Sequence, residues 1–296
     1  MSETGSNWGR WGAEDERGAL NLITPETVRE AAHACRTGKV YPLSIPIQRT
    51  GIPNFEYRGT PQRLTLTNRD DEHLSRENGG VPGLGANEDM FIFAAHTATH
   101  IDALGHVYSD NKLYNGFPHD EVSPYDGAPH CGIDKIGAVA GRGVLLDVAT
   151  ALGVSALEPG HIISREELTQ TIAAQESELK PGDLVLIRTG WMEAFMAGGE
   201  DLLPQPGIGI DPARFLVEND VAIIGADNSA VEAMPFDQDT YLGVHIVTLV
   251  QHGVHLVENL DLSDLAADRC YEFLLNIGPL KVTGATGSPI TPVAIG

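Results

Sequence analysis

The spacing of apolar residues changes character along this chain, and each change marks an element. Three short apolar runs bounded by glycine or turn residues, "GVLLDVA" (143–149), "DLVLIRTG" (183–190) and "VAIIGAD" (221–227), predict buried strands. Between the first two, Ser164-Arg165-Glu166-Glu167 carries the signature of a capping box and predicts a helix running to about Glu178. Asp211-Pro212 opens a further helix. The stretch "YLGVHIVTLVQHG" (241–253) has helical apolar spacing and stops at Gly253, after which "VHLVENL" and "CYEFLLNI" return to strand. Strands alternating with helices predict an α/β fold rather than a helical bundle or a sandwich.

The first half is less regular. Thr24 suits an N-cap with Pro25 at the first helical position; Val28, Ala31, Ala32 and Cys35 share one face, and Gly38 closes the helix. "YPLSIPI" (41–47) reads as a strand broken by prolines, hence an edge or entry strand. Residues 50–90 are loop-like, with the charged run Arg69-Asp70-Asp71-Glu72 and the glycines of "ENGGVPGLGANEDM". Residues 1 to about 23 are polar and glycine-rich yet hold Trp8 and Trp11, which predicts an arm that docks on the body. With no internal repeat and no linker, the chain divides into an N-terminal arm and helix (1–40) and one α/β domain (41–296).

One run breaks the apolar pattern. "FAAHTATHIDALGH" (93–106) puts three histidines and an aspartate among small and apolar neighbours. On a helix His96 and His100 are neighbours but Asp102 falls on the far side. On an extended strand His96, His100 and Asp102 project together, with Phe91, Phe93 and Ala95 on the opposite, packed face. His106 lies past Gly105, where the strand breaks, and can reach the same pocket from the loop. A bare pair of histidines four apart is ordinarily a hydrogen-bonding feature of a core or surface. Asp102 on the same face, with His106 downstream, tips the reading to ligands for Zn²⁺ or Mn²⁺.

Composition narrows the partners. The 296 residues carry 19 basic and 41 acidic side chains, a net charge of −22, which argues against nucleic acid or an anionic membrane and reads as a solvated surface; a small-molecule substrate is the partner expected on other grounds. Cys35, Cys131 and Cys270 are odd in number and far apart, so neither a disulfide framework nor a cysteine zinc site is expected. No apolar run approaches the ~18 residues of a membrane span, and the N-terminus has no signal-like apolar region, so a cytoplasmic protein is expected. There is no Gly-x-Ser-x-Gly elbow and no P-loop, and "PGIGID" (206–211) is too short for a dinucleotide fingerprint.

The eleven residues "HTATHIDALGH" resemble the H-x-G-T-H-x-D-x-x-x-H signature of the metal-dependent cyclase-like hydrolases, a family that includes bacterial kynurenine formamidases and isatin hydrolases. "NWGRWG", "LYNG" (113–116), "GRGVLLDVA" (141–149), "GDLVLIRTGW" (182–191), "IGADNSAVE" (224–232) and "VENLDL" (257–262) are similar to blocks of its longer members, so the resemblance spans nearly the whole chain. Ala98 stands where the family has a small Gly or Ser, and Leu104 where formamidases tend to carry Pro.

The resemblance implies a swivelling β/β/α fold, a homodimer or homotetramer, and one or two divalent ions. It implies that His96, His100 and Asp102 are ligands, with Asp102 able to bridge two ions. Glu258 is similar to the family's late carboxylate ligand, His245 to the histidine of a second site, and His106 to the proton donor and acceptor. His252 and His255 stay as alternatives to His245, which is preferred on the resemblance alone. The implied reaction is hydrolysis of an amide, cyclic amide or imide, or lactone by metal-activated water. Trp8, Trp11, Tyr114 and Trp191 are candidates for an aromatic wall around a flat substrate, or equally for core. Two other functions fit the same residues: a metal-dependent lyase or ring-forming cyclase, which would not incorporate ¹⁸O from labelled water, and a non-catalytic metal- or ligand-binding protein.

Overall fold

The apolar runs form the centre of one large sheet. A computed structural model describes residues 5–199 and 201–296, so residues 1–4 of the predicted arm lie outside the described residues. Nine strands pair in the order Val40–Pro42, Val293–Ile295, Glu272–Ile277, Val139–Asp147, Leu184–Arg188, Ile223–Ala226, His255–Glu258, His100–Asp102 and Gly287–Pro289. The four from Val139–Asp147 to His255–Glu258 run parallel, and antiparallel strands extend both sides. Val144 to Leu146, Leu184 to Ile187, Ile223, Ile224, Leu256 and Val257 are buried, as strands covered on both faces should be. The fold is a single α/β domain, as the alternation predicts.

Helix Arg165–Ala174 begins with the expected reciprocal cap between Ser164 and Glu167. It stops short of Glu178 because Glu176 turns left-handed (φ 53°) and Ser177 N–H reaches back to the Ile172 carbonyl. Helix Ile210–Glu218 buries Pro212, Ala213, Leu216 and Val217 and packs beside helix Arg165–Ala174 and the helical stretch from Gly243. The 241–253 stretch is helical only from Gly243, after a left-handed Leu242. Its body, Ile246–His252, is wound as a π-helix, a form frequent at functional sites, and ends at left-handed Gly253. Trp8 docks the arm there, its indole N–H donating to the Val250 carbonyl at 2.7 Å.

Two expectations need correction. Residues 50–90 are not plain loop: Gln62–Thr67 and Glu88–Ile92 form an antiparallel ribbon and Glu72–Glu77 a short helix. The ribbon is exposed on both faces, so no apolar face marks it in the sequence. For the same reason Phe91 does not pack behind the histidine run; it is 62% exposed. Of the proline-broken stretch, Tyr41 and Pro42 join the edge strand Val40–Pro42 and Ser44 makes an isolated bridge to Leu260.

Candidate metal centre

Strand pairing assembles the centre. His100–Asp102 is only three residues long, yet it lies between His255–Glu258 and Gly287–Pro289, with Glu258 directly opposite His100. His100 and Asp102 share a face by strand parity, and Glu258 joins them across the ladder. His100 Nε2 lies 3.1 Å from Glu258 Oε2 and 3.7 Å from Asp102 Oδ1.

His96 arrives by another route than expected. Residues 96–99 form a turn, with Ala98 left-handed (φ 53°), so strand parity does not reach back to His96. The turn is held by His100 Nδ1 and Asn259 Nδ2 on the Ala98 carbonyl (2.8 and 3.1 Å) and by the Thr99 hydroxyl donating to the Asn259 carbonyl at 2.6 Å. It folds His96 over the carboxylate, with Nε2 3.2 Å from Asp102 Oδ1. A left-handed position with 1% exposure explains a small residue at 98. Gly105 N–H donates to the Cys131 carbonyl, and a side chain at 105 would lie 3.0 Å from that oxygen. The chain turns here and brings the His106 ring within 4.0 Å of the His96 ring, centroid to centroid.

Of the three late histidines, His245 reaches the carboxylates: its Nε2 is 3.4 Å from Glu258 Oε1 and 3.7 Å from Asp102 Oδ2. His252 instead holds the Val247 carbonyl through Nδ1. His255, of opposite parity to Glu258, turns its Nδ1 to the Asp102 backbone carbonyl at 2.9 Å, and burial pushes its pKa down to about 4. The aromatic candidates sit elsewhere. Tyr114 is fully buried with its hydroxyl on Asp15, Trp8 holds Val250, and Trp11 lies under the Arg10 guanidinium. Among the described residues, no hydrogen bond or ring contact of these three reaches the histidines. Trp191 packs in a small apolar cluster with Ile45 and Ala98.

The donor set suits a divalent cation. Ten buried side-chain nitrogens and oxygens among the described residues have no hydrogen-bond partner, and five are here: His96 Nε2, His100 Nε2, both Asp102 oxygens and Glu258 Oε1. Buried polar atoms are rarely left unpaired, and ligation of a cation would satisfy them. Two overlapping groups, His96–Asp102–His106 and Asp102–His245–Glu258, each bring their ligand atoms within 4.8 Å of one another, with Asp102 common to both. Burial disfavours charge on these groups, yet neighbouring histidines hold the Asp102 and Glu258 carboxyls below the usual range. Against the same burial, Glu258 and Asp102 hold His100 up, and Glu232 and Glu258 hold His245 well up. Burial pushes His106 down to about 4. Two buried carboxylates thus gather positive charge, the demand a cation meets.

The profile of the Cyclase family matches residues 41–233. The chain belongs to that family. Kynurenine formamidase of Bacillus cereus is 30% identical over 223 residues, 74% of this chain and 83% of that one. A crystal structure described as a novel cyclase superposes with a TM-score of 0.88 at 35% identity, covering 98% of this chain and 97% of that one. Isatin hydrolase A of Labrenzia aggregata shares the fold at a TM-score of 0.64 and 19% identity, over 86% and 93% of the two chains. The cyclase-family match ends at Ala233, so it includes His96 to His106 but not His245 or Glu258, which strand pairing and the 243–252 helix bring to the others.

Sequence reasoning missed Glu232. It closes the block "IGADNSAVE" and is buried at 1% exposure against His245. An acidic residue just after Ala230 and Val231 was the available signal, but only the tertiary fold shows what it meets.

Proposed function

We propose that this cyclase-family protein is a metal-dependent hydrolase that cleaves an amide, cyclic amide or imide, or lactone, with a C–N bond favoured by its likeness to a formamidase. The observation that carries the reading is the set of five unpartnered buried atoms clustered around the Asp102 and Glu258 carboxylates. His96, His100 and Asp102, with Glu258 and His245, would hold Zn²⁺ or Mn²⁺, as one ion or as two sharing Asp102. When bound, such an ion supplies Lewis-acid polarisation of a carbonyl and lowers the pKa of water to roughly 7.

The chain itself supplies the proton transfers. Burial keeps the His106 imidazole neutral, so it begins as an acceptor for the proton of the attacking water. The protonated ring then donates that proton to the leaving nitrogen as the bond to carbon breaks. His106 also belongs to one of the two ligand groups, so a role as ligand is the second reading.

Elemental analysis, then assays on formamides, cyclic imides and lactones, test the function. Asp102→Ala should lose both metal and activity; full metal content in that variant would refute the assignment. His106→Ala should keep its metal while kcat falls by about 10²–10⁴, with a smaller loss for substrates bearing good leaving groups. Metal and activity falling together would make His106 a ligand.

A further inference from the structure

Glu232 takes no part in the ligand sets above, yet it is 1% exposed, and a carboxylate that deep needs a specific partner. Its Oε1 lies 2.5 Å from His245 Nδ1. The backbone N–H groups of Val244 and His245, at the start of the 243–252 helix, approach the same carboxylate only at 3.3 and 3.4 Å. A carboxylate serving mainly as a helix cap would show the reverse order, so the imidazole is its principal partner. The other ring nitrogen, His245 Nε2, faces Glu258 and Asp102.

The backbone that delivers Glu232 is strained. Val231 is β-branched and left-handed (φ 59°), an outlier for such a residue, and Glu232 N–H closes a tight turn onto the Ala230 carbonyl at 2.5 Å. The turn is pinned on both sides of Glu232: Ile208 N–H donates to the Val231 carbonyl and Ala233 N–H to the Ile208 carbonyl. Gly207 permits this approach, since a Cβ there would lie 2.4 Å from the Glu232 carbonyl carbon. Strain held this firmly accompanies sites where geometry serves function.

We propose that Glu232 is a positioning residue for His245, accepting the Nδ1 proton so that the Nε2 lone pair is presented to the cation position. A carboxylate behind a ligating histidine fixes its tautomer and ring orientation and makes it a stronger donor. The inference rests on the metal reading above.

The test uses zinc-loaded, ¹⁵N-labelled full chain together with Glu232→Gln and Glu232→Ala. Zinc affinity is measured by competition with a chromophoric chelator, and histidine tautomers by ¹⁵N–¹H correlation. Wild type should show His245 protonated at Nδ1 and ligating through Nε2. Glu232→Ala should weaken zinc binding by roughly 10–100-fold, and Glu232→Gln, which keeps an acceptor, by less. A carboxylate that merely stabilises the fold would lower Tm and leave zinc affinity and the His245 spectrum unchanged, which would overturn the proposal. So would ligation of His245 through Nδ1. If Glu232→Ala does not fold, the wild-type spectrum and the Gln variant decide alone. Failure of wild type to bind zinc or manganese would instead bring down the metal reading, and this proposal with it.

Discussion

His252 shows how closely a residue's meaning depends on what surrounds it. It lies on the same helical stretch as His245, but its Nδ1 is spent on the Val247 carbonyl. Burial, with Arg214 nearby, depresses its pKa although the Val247 carbonyl and Glu218 pull the other way. The unfolded chain, with an imidazole near ~6.5, therefore binds a proton before the native state does. The stability this residue contributes is full above that value and drains away as pH falls from it towards the native pKa. His252→Asn should accordingly flatten the dependence of the urea midpoint on pH between about 7.5 and 5.5; an unchanged slope would show that His252 is not held neutral. Residue type and strand parity put His100 and Asp102 side by side in the sequence, whereas Glu258 was readable only through the resemblance of its block to the family's. They left His245, His252 and His255 level, since what separates them is which carbonyl or carboxylate each meets after folding.

At the scale of elements, the turn at 96–99 carries the centre. The sequence predicts one continuous strand through His96 to Asp102, and that strand is cut to three residues because Ala98 goes left-handed. His96 still comes to Asp102, but through the turn and not through strand parity. Period-two reasoning cannot see such a turn when every residue in it is buried and neither glycine nor proline marks it. Ala98→Val would put a β-branched side chain in that conformation and in a packed position. It should cost on the order of 1–3 kcal/mol and lower metal affinity through His96, whereas Ala98→Gly should preserve both. Thermal melts and chelator competition on the two variants check this; equal behaviour would mean the turn does not position His96. The ribbon Gln62–Thr67/Glu88–Ile92 escaped notice for the opposite reason: with both faces exposed it has no core-facing period to read.

For the whole molecule, the ion and the fold should be linked. A cation that binds only the native chain stabilises it by about 2.7 kcal/mol at a hundred times its Kd, worth roughly 5 °C in Tm for a domain near this size. Adding zinc to chelator-stripped protein should raise Tm by about that amount, and Asp102→Ala should abolish the shift; an equal shift in the variant would place the binding elsewhere. The α/β class and the central strands were evident from apolar runs, since a doubly covered sheet leaves a near-continuous apolar trace. No helix among the described residues is long and apolar enough to cross a membrane.

The three-residue strand His100–Asp102 has a consequence in time as well as space. Both its neighbours, His255–Glu258 and Gly287–Pro289, come from the far end of the chain, and the His255–Asp102 contact alone spans 153 residues. A chain emerging from the ribosome has His96, His100, Asp102 and His106 long before the two strands that flank His100–Asp102. Contacts this distant in sequence form slowly and late. On the proposed metal reading, the histidine run would be an open, weak chelator until synthesis is nearly complete, and the last strands to be made would give it a fixed shape.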